Sequence, residues 1–65
     1  MQGKIKTFNQ SKGYGFIAVE DGKEIFFHYS QLMMEGFKTI DPETEVEFDV
    51  VMTERGEQAH NIVKC

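Results

Sequence analysis

A chain of 65 residues has room for one small domain, because a chain near this length buries only about 60% of the surface that its unfolded form exposes. The lone cysteine, Cys65, excludes an internal disulfide, and the two histidines, His28 and His60, lack thiol partners at the spacing of a zinc site. A formal net charge of −4 argues by itself against a general nucleic-acid binder.

The charged residues are unevenly distributed along the chain. Residues 1–17 contain three lysines and no acid, whereas all 11 acidic residues follow Val19. This segregation is either a chance feature of a short chain or the basis of a local positive surface on a body that otherwise repels anions. The single thiol, the absence of a signal peptide and the absence of a membrane-length apolar run predict a cytoplasmic protein.

The predicted elements are strands throughout. Asp21-Gly22 lies between two β-prone runs and is typical of a hairpin turn. One helical turn is predicted at residues 30–32, with Ser30 as its cap, and a long loop rich in turn residues follows over residues 33–44. In chain order the predicted strands are residues 2–8, 14–19, 24–28, 45–52 and 58–64.

The fourth strand has the clearest alternation. Its even-numbered residues Val46, Phe48, Val50 and Met52 are apolar and predict a buried face, while acidic residues at 45, 47 and 49 predict a wet one. Five short antiparallel strands without a substantial helix indicate an all-β barrel or sandwich. The long loop between the third and fourth strands favours a five-stranded antiparallel Greek-key barrel of the oligonucleotide-binding type.

The second and third strands carry large apolar side chains on both faces. Side chains alternate between the two faces of a strand, so Tyr14 and Phe16 share one face while Ile17 shares the other with Val19. In the third strand the same alternation separates Phe26 and His28 from Ile25, Phe27 and Tyr29. A domain this small cannot bury both faces of a sheet. One face is therefore expected to expose aromatic rings on which unpaired bases can stack.

The second strand also carries a recognisable motif. Residues 12–19 resemble the first ribonucleoprotein motif, basic-Gly-aromatic-Gly/Ala-Phe-Val-x-aromatic, with departures at Ile17 and Val19. The RNA-recognition motif that uses this pattern needs two helices, for which this chain has no room. The chain instead resembles the bacterial cold-shock proteins along its whole length. The blocks that carry this resemblance are Gly3-Lys4-Ile5-Lys6, Phe8-Asn9, Lys12-Gly13-Tyr14-Gly15-Phe16-Ile17, Ile25-Phe26-Phe27-His28-Tyr29, Gly36-Phe37-Lys38 and Arg55-Gly56.

The resemblance implies one cold-shock domain over residues 1–65 that binds single-stranded RNA and DNA with little sequence demand and acts as an RNA chaperone or a cold-shock-type regulator. Pyrimidine-rich strands are the expected partners. No membrane partner, cofactor or metal is expected. The chain is expected to be a monomer, with dimers formed by strand exchange or through Cys65 left open. The expected binding residues are Lys6, Phe8, Asn9, Lys12, Tyr14, Phe16, Phe26, His28, Tyr29, Phe37, Lys38 and Arg55.

Several of these residues also have a plain structural interpretation. Phe8 either joins the exposed face or packs in the core, and Asn9 either contacts base edges or caps its own turn. Alternation leaves Tyr29 between packing and binding, and the resemblance favours binding. His28 shares a face with Phe26, which favours stacking or hydrogen bonding over a metal site. A single surface lysine is usually only solvated, and Lys6 and Lys12 are favoured because they flank the aromatic face.

Two departures from the family weaken the expected site. The family usually has a stacking tryptophan where this chain has Thr7, which removes about 1–3 kcal/mol of base contact. Glu57 stands where a proline is common and adds a negative charge. Together with the net charge, these departures support a second hypothesis, a protein-interaction module with little nucleic-acid affinity. A third hypothesis is that the protein is an enzyme, but no nucleophile–base pair or carboxylate dyad stands out in the sequence to support it.

Overall fold

Five strands close into a barrel in the order β1-β2-β3-β5-β4. The computed structural model describes residues 1–33 and 41–65. A 3₁₀ turn, Tyr29–Gln31, follows the third strand. The strands are β1 Gln2–Asn9, β2 Tyr14–Ala18, β3 Glu24–His28, β4 Glu45–Thr53 and β5 Gly56–Lys64. The predicted five-stranded Greek-key barrel is thus confirmed, and β5 begins two residues earlier than its sequence pattern indicated.

One strand pair departs from the predicted antiparallel arrangement. The pairs β1–β2, β2–β3, β1–β4 and β4–β5 are antiparallel, but β3 and β5 run parallel, with Phe26 opposite Gln58. Successive strands alternate in direction, so two odd-numbered strands must be parallel once they become neighbours. Closure of the barrel therefore requires this parallel contact, which places β5 next to β3 in the sheet at Phe26.

The core consists of the inward-facing apolar side chains of all five strands. Phe27 is its largest fully buried side chain, and Phe8 and Leu32 pack against the core from partly buried positions. The inward faces predicted for β2 and β3 are confirmed, since Ile17, Ile25 and Phe27 are all buried. The buried set is Ile5, Ile17, Val19, Ile25, Phe27, Val46, Phe48, Ala59 and Ile62.

The prediction that Val50 and Met52 would be buried is wrong. Their exposed fractions are 37% and 73%. Strand β1 pairs with β4 only along Glu45–Glu47, and the last backbone contact joins Met1 to Phe48 at 2.8 Å. Beyond Phe48 the strand therefore has only β5 beside it, and it extends past the part of the barrel that encloses the core. The alternation of apolar side chains continues in this part of the strand, but Val50 and Met52 have no core to pack against.

Two predicted turns have different outcomes. The Asp21-Gly22 hairpin is confirmed, with Gly22 at a φ of 88° and its amide donating to the carbonyl of Val19 at 3.0 Å. Ser30 does not cap the short helical turn. His28 is the N-cap, and its ring accepts a hydrogen bond from the amide of Ser30 at 3.2 Å. A histidine ring can replace a hydroxyl in this role because a neutral imidazole has one acceptor nitrogen.

Gly15 allows β1 and the core to approach β2 closely. A Cβ atom at this position would meet the carbonyl oxygen of Thr7 and would lie 2.9 Å from the Phe27 ring. We expect Gly15→Ala to destabilise the protein by about 3 kcal/mol, the upper end of the usual cost of overpacking, as measured by thermal or urea unfolding.

Gly22→Ala is the matched control for this prediction. Its Cβ would meet no atom within 4 Å, so only the positive φ makes it unfavourable, at about 1–2 kcal/mol. If Gly15→Ala were the milder of the two, the close packing of β1 and Phe27 against β2 would be contradicted.

Candidate nucleic-acid interface

Three aromatic rings form a contiguous cluster on the outside of β2 and β3. Register pairs Phe16 with Phe26 directly, and Tyr14 lies one pair further along on the same face, opposite His28. The ring centroids of Tyr14 and Phe26 are 5.6 Å apart at an interplanar angle of 30°, and those of Phe16 and Phe26 are 5.9 Å apart at 75°. We call Tyr14, Phe16, Phe26 and His28 the aromatic face. The three rings are half-buried, so each keeps surface that a base can cover.

Phe8 supports the aromatic face from the core side. Its ring stacks on Phe27 with centroids 5.7 Å apart and an interplanar angle of 8°, and it packs against the buried cluster. Its partial exposure leaves one edge at a cleft of about 510 Å³ beside Tyr14 and Phe16. Of the two interpretations left open for Phe8, the structure shows core packing, and a direct base contact stays a prediction.

His28 and Tyr29 lie side by side at the end of β3. Their ring centroids are 4.6 Å apart. His28 is exposed, and its Nδ1 accepts the amide hydrogen of Ser30, so the neutral ring carries its proton on Nε2. Tyr29 is half-buried over Gly13, where the φ of 75° and the missing Cβ leave room for its ring. The amide of Tyr29 donates to the carbonyl of Gly13 at 2.8 Å.

The turn between β1 and β2 presents polar groups next to the aromatic face. The side-chain oxygen of Asn9 accepts from the amide of Lys12 at 3.1 Å, so the turn-capping interpretation of Asn9 is observed. Asn9 also pairs with Tyr14, which keeps its side chain next to the aromatic face for a base contact that stays a prediction. Lys12 is exposed and makes no ion pair with any residue in the described ranges.

Thr7 stands at the position where, by the resemblance described above, the family usually has a stacking tryptophan. It is exposed and pairs with Phe16 across β1 and β2, because Lys6 forms a bulge that shifts the register between Ile5 and Thr7. The cleft beside it is lined by Thr7, Phe8, Asn9, Gln10, Tyr14 and Phe16. A larger side chain at position 7 would extend the aromatic face onto β1.

The other cationic residues predicted to bind nucleic acid differ in their surroundings. The ammonium of Lys6 is 2.8 Å from a carboxylate oxygen of Glu24, an interaction that the sequence interpretation missed. Alternation places Glu24 on the same face of β3 as Phe26, but it gives no signal that pairs Glu24 with Lys6. Arg55 is exposed in the β4–β5 turn, three residues before Gln58, which pairs with Phe26. The predicted loop residues Phe37 and Lys38 lie outside the described residues.

Metal ligands and membrane-spanning helices are two further features that would indicate a function. Residues 1–33 and 41–65 contain no group of three His, Cys, Asp or Glu side chains arranged to hold a metal ion. The same residues form no helix that is long and apolar enough to span a membrane.

Known proteins match this chain along nearly its whole length. The model of the family described as the 'Cold-shock' DNA-binding domain matches residues 1–65. Cold shock protein CspB of Bacillus caldolyticus is 51% identical over 63 residues, which are 97% of this chain and 96% of that protein. Cold shock-like protein CspC of Bacillus cereus is 48% identical over 64 residues, which are 98% of each chain.

A solved structure supports the same relationship. The chain described as drosophila Unr CSD456 superposes with a TM-score of 0.81 at 34% identity. The match covers 98% of this chain and 26% of that one, so this protein corresponds to about a quarter of the longer chain. With a family match over every residue and relatives near half identity, this chain belongs to the cold-shock domain family.

Proposed function

We propose that the aromatic face is the surface on which this protein stacks unpaired bases. As a cold-shock domain protein it is a single-stranded nucleic-acid binder that acts as a chaperone. The observation that supports the site is the cluster of Tyr14, Phe16 and Phe26, whose rings contact one another while a complete core lies behind them. Rings that the core does not need and that keep exposed surface are suited to stacking.

Stacking explains how one small surface serves many sequences. Every base has a π-face, so each stacked base contributes about 1–3 kcal/mol whatever its identity. Hydrogen bonds from Asn9 or from the Nε2–H of His28 would add modest preferences at base edges. Exposed Lys12 supplies a phosphate contact next to the rings, in a molecule whose net charge of −4 otherwise repels a nucleic acid.

The remaining features of the function are part of the same proposal. Cold-shock proteins are nucleic-acid-binding proteins rather than enzymes, and we propose that this chain likewise has no catalytic activity. The preference for pyrimidine-rich strands, the monomeric state and the cytoplasmic location stay predictions. The alternative, a protein-interaction module that has lost nucleic-acid affinity, is tested by the first experiment below.

Strand preference tests the stacking proposal directly. Stacking needs bases with free faces, and no helix among the described residues could read a groove. We expect oligo-dT to bind more tightly than oligo-dA, whose own stacking competes, and both to bind more tightly than a duplex of equal length. Titrations that follow tyrosine fluorescence give the affinities. Equal affinity for the duplex would contradict stacking, and no binding to any strand would support the protein-interaction alternative.

Thr7→Trp tests the edge of the aromatic face on β1. Because Thr7 is exposed opposite Phe16, an indole at this position would lie beside that ring and add a stacking surface. We expect tighter binding of oligo-dT by about 1–3 kcal/mol and quenching of the indole fluorescence when the strand binds. Unchanged affinity together with unresponsive fluorescence would place position 7 outside the interface.

Alanine substitutions separate binding from folding. Phe16→Ala and Phe26→Ala should each weaken oligo-dT binding by about 1–3 kcal/mol. Their half-exposed rings should cost less stability than a buried phenylalanine, for which truncation costs about 3–5 kcal/mol. Phe27→Ala is the control with the same chemical change in the core, and it should mainly unfold the domain. If thermal melts showed equal destabilisation by all three substitutions, the outer rings would be structural.

A further inference from the structure

An ion pair crosses the outside of the barrel at the border of the aromatic face. The Nζ of Lys6 lies 2.8 Å from Oε2 of Glu24, although their strands, β1 and β3, are separated by β2. Ala18 is the residue of β2 that pairs with Glu24 and also with Lys4. The pair therefore spans the outer face of β2 near Ala18, where the β2 side chain is small.

The position of this pair relates it to the proposed binding surface. Lys6 precedes Thr7, which pairs with Phe16, and Glu24 lies two residues before Phe26 on the same face of β3. A nucleic-acid strand stacked on Phe16 and Phe26 would therefore bring a phosphate close to both charged groups. Lys12, in the turn that precedes Tyr14, has no such anionic partner among the described residues.

We propose that Glu24 masks Lys6 and thereby limits both the affinity for single strands and its dependence on salt. This inference rests on the proposed function, since it assigns a role to a charged pair at the border of that site. The Glu24 carboxylate pairs with the Lys6 ammonium group, which a phosphate would otherwise contact. The protein can use Lys6 for binding only by giving up an existing interaction.

Counterion exchange predicts how the masking appears in a titration. A lysine that neutralises a phosphate on a single strand releases a bound cation and adds about 0.7 to the slope of log affinity against log salt. When Lys6 leaves Glu24 for a phosphate, the uncovered carboxylate attracts a cation in its place. The net release is then small, so Lys6 adds little to the salt slope of the natural protein, whereas Lys12 adds its full share.

The strength of the pair sets the size of the effect. Both side chains are largely accessible, at 54% for Lys6 and 44% for Glu24, and pairs exposed to this degree are weak. Removing the carboxylate should therefore tighten binding by about twofold to fivefold. An effect of this size modulates the affinity of the proposed site without switching it off.

A double-mutant cycle tests the masking. Oligo-dT affinities are measured at several salt concentrations for the natural protein, Lys6→Gln, Glu24→Gln and the double variant. Glu47→Gln is the matched control, because Glu47 is exposed on β4, makes no ion pair among the described residues and gives the same change in net charge. Thermal melts confirm that each variant is folded, and Lys12→Gln gives the salt-slope change of an unmasked lysine.

The proposal expects a specific pattern. Glu24→Gln binds about twofold to fivefold more tightly with a salt slope steeper by about 0.7, and adding Lys6→Gln removes both gains. Lys6→Gln alone binds somewhat more weakly, because it leaves the Glu24 carboxylate without its cation, and Glu47→Gln changes affinity by less than twofold.

Three results would overturn the masking while leaving the proposed function in place. A double variant that binds as tightly as Glu24→Gln alone would mean simple repulsion of the strand by the carboxylate. An equal gain from Glu47→Gln would mean a net-charge effect. Weaker binding by Glu24→Gln would mean that the carboxylate itself contacts the strand. Failure of the natural protein to bind any single strand would instead reject the proposed function.

Discussion

The size of the core is the constraint on which the rest of the structure depends. Among the described residues nine buried apolar side chains pack inside the barrel, and the strands β2 and β3 contribute only their inward faces to it. Their outward faces still carry Tyr14, Phe16 and Phe26, for which the domain has no second core. Those rings remain partly exposed and contact one another instead. Because a domain this small cannot bury both faces of its sheet, it has a surface of aromatic rings.

The charges of the molecule indicate that electrostatic attraction contributes less than stacking to the affinity for nucleic acid. A net charge of −4 disfavours approach to a polyanion, and Glu24 and Glu57 lie 2.8 Å and 3.9 Å from Lys6 and Lys23 respectively. Exposed ion pairs of this kind contribute little to stability, so their main effect is on the local potential. Affinity in this account comes chiefly from stacking, which is tolerant of sequence and suits a protein that acts on many single strands.

The sequence was sufficient for the barrel and for the aromatic face because both follow from the alternation of side chains along a strand. Alternation gave a wrong prediction where the burial of a side chain depends on the neighbouring strand. Val50 and Met52 keep the pattern of a buried face but lie beyond the end of β1, and a strand period carries no information on where its neighbour ends. The parallel β3–β5 contact and the Lys6–Glu24 pair likewise depend on how the strands are arranged in the closed barrel, which no one segment specifies.

The central claim is that bases stack on the outward rings of β2 and β3, and a titration followed through the aromatic proton resonances tests it most directly. Saturation with a short oligo-dT should shift the ring protons of Tyr14, Phe16 and Phe26 through the ring currents of the stacked bases. The ring protons of Phe27, buried on the opposite face of β3, should move much less. Shifts concentrated on the exposed part of β4 around Met52, with the outer rings unaffected, would contradict the account.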